Sequence, residues 1–205
     1  SRVLPVTNQS VHLEAEFVNG SRVLGESKIF YAKKRNDCRI RQVRLVPEHP
    51  KPLPESIEAI AQADLILLGP GSLYTSIIPN LLVDGVAEAI AKSRALKILV
   101  MNIMTQDGES DGYTGADHVR ALLHHGAPGI IDVCIANNAV IGEAILAPYR
   151  QEGVEQLRLE REEIEAMGIQ VEEYPMATGE RYIRHDTYAL ASAIMEVYRR
   201  SRLTR

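Results

Sequence analysis

The chain has 205 residues, 45% of them apolar and 24% charged, with a net charge of −4. At this size a domain buries roughly 70% of its unfolded surface, so a core can form without disulfide or metal staples. The negative balance excludes a molecule built as a whole to attract polyanions, and no nucleic-acid partner is expected. Cys38 and Cys134 are the only cysteines; without a CxxC or a His/Cys cluster they form neither a disulfide framework nor a zinc site. The longest apolar runs are far short of a membrane span, and the N-terminus lacks the basic and apolar regions of a signal peptide. A cytoplasmic protein with no membrane insertion is the expectation.

Val11 to Phe17 alternates apolar and polar residues up to Asn19-Gly20, and a second alternating run passes through Val23 and Ile29. That pattern predicts a β-hairpin. Lys33 to Arg44 is basic with Ile40 and Val43 interleaved, and reads as a further strand or its approach. With no interleaved aromatic beyond Tyr31, a solvated strand face is favoured over an RNA surface. After the proline-rich connector Pro47 to Pro54, a helix is predicted over Glu55 to Ala63, burying Ile57, Ile60 and Ala61.

From there strands and helices alternate. Leu65 to Leu68 is wholly apolar, as in strands buried on both faces of a parallel sheet. Asp84 opens a helix carrying Val86, Ala87, Ile90 and Ala91, and Lys97 to Met101 is the next strand. Thr114 to His125 reads as a helix with Thr114 and Asp117 at capping-box spacing. Strands follow at Ile130 to Ala136 and Ile169 to Tyr174, with a helix at Glu160 to Met167 and a closing amphipathic helix at Thr187 to Arg200. Between the first of these strands and Glu160 the sequence is less regular. This rhythm predicts a Rossmann-like α/β fold: a mostly parallel sheet with flanking helices, and the hairpin at an edge or as an insert. One domain spanning 1–205 is expected.

The first constellation with chemical content is Gly69-Pro70-Gly71-Ser72, where the apolar strand runs into two glycines and then into Tyr74, Thr75 and Ser76. Glycines allow a sharp turn and close backbone approach, so that successive N–H groups can converge on an oxyanion. Ligands in open α/β sheets bind beyond the carboxyl ends of strands, where this loop falls. It is therefore read as a phosphate-binding turn, with Ser72, Thr75 and Ser76 as uncharged donors. There is no Gly-Lys-Ser/Thr, so it is not a Walker A loop. A second polar loop, 102–114, also follows a buried strand; Asn102 and Thr105, nearest the strand end, are its candidates for ligand contact. Asp107, Glu109 and Asp111 match the opening of an EF-hand loop, but His118 stands where the bidentate Glu belongs. The segment is either a solvated acidic turn or a holder of Mg²⁺ or ligand hydroxyls. His124 and His125, and the C-terminal Arg199, Arg200, Arg202 and Arg205, suit helix C-termini. In Arg184-His185-Asp186-Thr187, Asp186 or Thr187 can cap the last helix, leaving Arg184 to reach an anion; a purely capping role fits the spacing equally well. No catalytic pair is visible.

The block from Gly69 through Asn80 to Val83, with Met104-Thr105-Gln106 and Asp111-Gly112-Tyr113-Thr114, resembles the bacterial gluconeogenesis factor (YvcK-like) family, within the 2-phospho-L-lactate transferase (CofD-like) superfamily. The resemblance implies a cytosolic role in cell shape and cell-wall synthesis during gluconeogenic growth. It also implies binding of a UDP-sugar such as UDP-N-acetylglucosamine or another dinucleotide-like molecule, with Arg184, followed by His185, in the family's functional Arg-His segment. A homo-oligomer is expected, and Thr187 matches the family's hydroxyl acceptor for a Ser/Thr kinase. Two features depart from the pattern. The family's N-terminal strand and Gly-Gly-Gly-Thr-Gly loop are not seen, so an N-terminally truncated domain is expected. The transferase branch reads Pro-Ser-Asn where this chain has Pro-Gly-Ser, which argues against 2-phospho-L-lactate transfer. A Mg²⁺-dependent transferase acting on a nucleotide-activated substrate, with Asp107, Glu109 or Asp111 on the metal, is the competing expectation.

Overall fold

A computed structural model describes residues 2–36, 38–179 and 182–203, with all of their side chains but those of Lys34 and Asn36. Asp37 of the basic run and Arg205 of the C-terminal cluster lie outside the described residues. Strand β1 (His12–Phe17) buries Leu13, Ala15 and Phe17, as its alternation requires. It pairs antiparallel with β2 (Arg22–Leu24) on one side and β3 (Ile40–Val46) on the other. On the opposite face Glu14 meets Arg44 at 2.6 Å and Glu16 meets Arg22 at 2.8 Å. Within the basic run, Arg44 and Arg41 thus face carboxylates of β1, Glu14 and Glu16, which is why the run does not form an open basic stripe.

The hairpin's second strand is shorter than its pattern suggests. It ends at Leu24, and α1 (Glu26–Asn36) takes over, burying Ile29 and Ala32 at helical spacing. The three antiparallel strands also form a sheet of their own instead of an edge on the parallel one.

Helix α2 (Pro54–Gln62) opens on Pro54, whose missing N–H costs nothing there. Ile57 and Ile60 are half-buried as expected, but Ala61 is exposed and Ser56 is the buried residue, its hydroxyl donating to the Pro5 carbonyl at 2.8 Å. The main sheet is parallel throughout: β4 (Leu65–Leu68), β5 (Leu96–Val100), β6 (Val133–Asn137) and β7 (Gln170–Tyr174), side by side in chain order. Strand β4 is not buried on both faces. It lies at the sheet's edge among the described residues, and Leu67 is 43% exposed. Strand β6 starts at Val133; Ile130 and Ile131 are buried before it in the turn.

A π-helical turn, Leu73–Ile77, runs into α3 (Ile78–Leu81), and α4 (Val86–Lys92) follows before β5. Helix α5 (Gly115–His125) carries the expected capping box, with both the Thr114 and the Asp117 hydrogen bonds formed. Helix α6 (Glu143–Gln151) falls in the stretch read as irregular, where Gly142 and an internal Pro148 mask its period. Helix α7 (Arg161–Ala166), the two-residue strands β8 (Ala177–Thr178) and β9 (Arg184–His185), and α8 (Thr187–Leu203) complete the chain.

Side chains alternate to the two faces of the parallel sheet. Leu68, Leu99, Cys134, Ala136 and Val171 join α3, α4, α5, α7 and the inner face of the antiparallel sheet in the larger core. Leu96, Ile98, Val100, Val133 and Ile135 pack on Ala193, Ile194 and Val197 of α8. Burial pushes the Cys134 thiol up to about 12, so it is a core residue and not a nucleophile. Among the described residues no single helix is long and apolar enough to cross a membrane.

Candidate functional site

All four parallel strands end on one edge of the sheet, and the two polar loops meet there. At the end of β4, Gly69 has φ +76°, and a Cβ on it would lie 3.1 Å from the Val100 carbonyl oxygen of the neighbouring strand. A side chain is strained at that φ and crowded by backbone, so the turn needs glycine. From the end of β5, Asn102 donates its Nδ2 to the Gly71 carbonyl at 3.1 Å, tying the two loops together.

The segment after β7 brings the third component. Asn137, the last residue of β6, accepts the backbone N–H groups of Met176 and Ala177 at 2.9 and 2.8 Å through its Oδ1. Strand β8 then pairs antiparallel with β9. The Tyr149 hydroxyl of α6 accepts the Ile183 N–H at 2.8 Å. His185 Nε2 donates to the Met101 carbonyl at 3.1 Å, and burial holds its imidazole below the ordinary histidine range. Asp186 caps α8 by accepting the Ala189 N–H at 2.8 Å, and Arg184, two residues before it, is exposed. Thr187 begins the helix and is exposed.

These contacts build a cleft of about 400 Å³ lined by Pro70, Gly71, Asn102, Gln106, Arg184 and His185, with Ile103 to Thr105 behind. Six of the residues expected to touch a ligand, Pro70, Gly71, Asn102, Thr105, Arg184 and His185, are thus brought together. Thr105 is buried and its Oγ1 accepts the Glu155 N–H at 2.9 Å, so it acts as backing for the cleft.

The remaining candidates are placed differently. Tyr74 is 2% exposed; its hydroxyl shares a 2.8 Å hydrogen bond with that of Tyr113, and burial raises its pKa. It is a core residue. Ser76 and Asn80 line a separate, mainly apolar groove of about 340 Å³ on the other side of Gly69-Pro70-Gly71. Asn80 Nδ2 donates to the Ser76 carbonyl.

Thr75 and the helix-opening amides serve an internal anion. Glu109 Oε1 accepts the Thr75 hydroxyl at 2.7 Å, and Oε2 accepts the Tyr74 N–H at 3.1 Å. The Leu73 N–H lies near enough to the same carboxylate to favour its charged form. A buried side-chain carboxylate therefore sits where the turn was expected to cradle a phosphate with these donors. Desolvation by burial raises its pKa despite those hydrogen bonds. Glu109 is presented by a tight turn in which the Gln106 carbonyl accepts the N–H groups of Glu109 and Ser110. Ser72 turns to this side, where a second cavity of about 510 Å³ is lined by Glu26, Ser27, Phe30, Ser72, Thr75, Gln106, Gly108 and Glu109.

Nothing in the sequence marked Glu109 as the partner of Tyr74, 35 residues away, or Asn137 as the anchor of residues 176–177. Among the described residues, no group of three or more His, Cys, Asp or Glu side chains is placed to hold a metal ion. Asp111 Oδ1 accepts the Gly108 N–H at 3.2 Å and Oδ2 pairs with Lys33 Nζ at 2.9 Å.

A four-stranded parallel sheet with helices on both faces and a polar cleft across its carboxyl edge defines a Rossmann-like α/β protein. The chain belongs to the family described as 2-phospho-L-lactate transferase CofD, whose sequence model it matches over residues 1–177. Within that breadth it is similar to gluconeogenesis factors. It is 44% identical to the one from Bacillus subtilis over 197 residues, which is 96% of this chain and 61% of that protein. To the Halalkalibacterium halodurans protein it is 40% identical over 196 residues, 95% of this chain and 60% of the relative. A crystal structure of a upf0052 family member from Bacillus halodurans has a TM-score of 0.88 at 39% identity, covering 94% of this chain and 61% of that one. The resemblance carried by the Gly69 to Val83 block is borne out, and the chain spans about three fifths of the length of these relatives.

Proposed function

We propose that the chain binds a nucleotide-sugar of the UDP-N-acetylglucosamine type, with the diphosphate in the cleft at Arg184, and that it acts as a regulator of cell shape and cell-wall precursor metabolism in the cytoplasm during gluconeogenic growth. The observation that carries the reading is the placement of Arg184. Arg184 lines a cleft beyond the carboxyl ends of the parallel strands, together with Asn102 and the Gly71 turn. A planar guanidinium offers paired donors to phosphate oxygens, and the cleft's other lining groups add uncharged donors. Similarity to gluconeogenesis factors supports the metabolic context. Calorimetry with UDP-N-acetylglucosamine on wild-type and Arg184→Ala proteins is the test. Loss of one phosphate-pairing guanidinium is expected to weaken binding about tenfold or more; equal binding by both proteins removes Arg184 from the site.

Thr187 extends the reading to regulation. It is exposed in the first turn of α8, which supports the reading that a Ser/Thr kinase modifies it, and a phosphate there would face the helix N-terminus. Mass spectrometry of protein treated with a Ser/Thr kinase tests it, and phosphate found only on other residues counts against it. The CofD family match favours a second reading, a Mg²⁺-dependent transferase. It predicts Mg²⁺-dependent turnover from a panel of nucleotide-activated substrates, and no product from the panel sinks it.

A further inference from the structure

The cavity at Glu109 has the opposite polarity to the cleft at Arg184, and the two adjoin. Gln106 lines both, and the consecutive residues Gly71 and Ser72 line one each. Glu109 is only 4% exposed yet forms part of the cavity wall, with Glu26 of α1 close enough to act on it electrostatically. A phosphate placed here would meet two carboxylates and find the Tyr74 amide and the Thr75 hydroxyl already committed. This lobe accepts donors.

We propose that the cavity is the sugar subsite of the cleft, receiving hydroxyl and amide N–H groups on Glu109 and Glu26 and the apolar C–H face of the ring against Phe30. The proposal rests on the nucleotide-sugar reading above. Each carboxylate oxygen has two lone-pair sites, so Glu109 retains capacity for a ligand donor beyond Thr75 and the backbone amides. A divalent cation demands several oxygens at short range and would have to strip those internal donors away. A sugar hydroxyl needs one lone pair. The Phe30 ring lies over Gly108, where any Cβ would overlap it, and forms an apolar part of the cavity wall. Adjacent backbone positions lie about 3.8 Å apart. A ligand whose diphosphate sits at Gly71 and Arg184 can therefore reach this lobe with its next moiety, past Gln106.

Calorimetry with UDP and with UDP-N-acetylglucosamine on four proteins tests the assignment: wild type, Glu109→Gln, Ser27→Trp and Arg184→Ala. Ser27 lies exposed on the cavity rim, so its replacement fills the cavity without entering the core. The wild type is expected to bind the sugar nucleotide about tenfold more tightly than UDP, the gain of one hydrogen bond to a charged group. Glu109→Gln and Ser27→Trp are each expected to erase that margin, Ser27→Trp while changing UDP affinity less than about twofold, and Arg184→Ala to weaken both ligands. No margin in the wild type, or a margin that survives in both cavity variants, overturns the subsite and leaves the nucleotide reading standing. Mg²⁺ binding without nucleotide that Glu109→Gln abolishes assigns the cavity to a cation and also overturns it. Failure of the wild type to bind UDP at all overturns the nucleotide reading and the subsite with it.

Discussion

A buried carboxylate at a helix start is pulled in two directions. Donors at Thr75, Tyr74 and Leu73 favour the charged form of Glu109, but desolvation is the larger effect and its pKa is raised from the ordinary 4.5. In the interval above 4.5 the folded protein holds a proton that the unfolded chain releases. By linkage, the stability contributed by this group is complete below the unfolded value and is lost as pH rises through the folded one. Glutamine has no such titration. Denaturant unfolding of wild type and Glu109→Gln across about pH 4 to 7 should show the wild type losing ground steadily. A constant difference between the two curves would mean that burial does not hold the proton. The sequence showed this residue as one of three acidic positions in a loop, with nothing to tell it from Asp107 or Asp111. What distinguishes it is the helix start it faces, which is remote in the chain.

Elements differ in how far their partners lie. The α5 capping box was legible because Thr114 and Asp117 are three residues apart, and both bonds are present. Replacing Thr114 by Ala should cost about 1 kcal/mol, read by chemical denaturation. The Arg184 segment is the contrary case. Strands β8 and β9 have two residues each, too few for any periodicity, and their position depends on contacts 34 to 40 residues away in sequence, from Asn137 and Tyr149. Asn137→Ala strips the acceptor from three amides, those of Ala139, Met176 and Ala177, and we expect a loss of about 2 kcal/mol. Because Asn137 holds the segment that carries Arg184, nucleotide affinity should fall too, although the side chain is not among those lining the cleft. Asn137→Asp keeps an acceptor at that position and should recover most of both losses. Affinity unchanged in Asn137→Ala would show that β9 is held in place by other contacts. The misplaced second hairpin strand has a related cause. Val23 and Ile29 fit alternation across the gap, but Ile29 and Ala32 also fit a helix, and the positive φ of Gly25 (+109°) separates the two conformations.

At the scale of the whole molecule, the question is how the antiparallel layer and the site act as one body. The rhythm of strands and helices revealed the parallel sheet, but not that α1 would close over the polar loop 106–114. Two contacts from α1 make that closure, Phe30 over Gly108 and Lys33 Nζ against Asp111 Oδ2 at 2.9 Å, and Arg39, just before β3, adds a third by donating Nη2 to the Gly112 carbonyl at 3.2 Å. The lysine is 7% exposed, so removing its partner leaves a desolvated ammonium. Asp111→Asn should therefore destabilise the fold by about 2 to 4 kcal/mol, less than for a fully enclosed pair because the carboxylate side retains some solvent. Lys33→Met combined with Asp111→Asn removes both charges while keeping the Oδ1 acceptor for the Gly108 N–H, and should regain most of that loss, measured as a double-mutant cycle in urea. Failure of the double variant to recover would mean that the pair positions the loop in a way apolar contact cannot replace. The cycle also bears on the transferase reading, since loss of turnover in Asp111→Asn alone would follow equally from a loosened loop and from a lost metal ligand. A double variant that recovers its stability yet shows no Mg²⁺-dependent turnover would point to the carboxylate itself; one that recovers both would assign Asp111 to the architecture that holds Glu109 and Gln106 at the cleft.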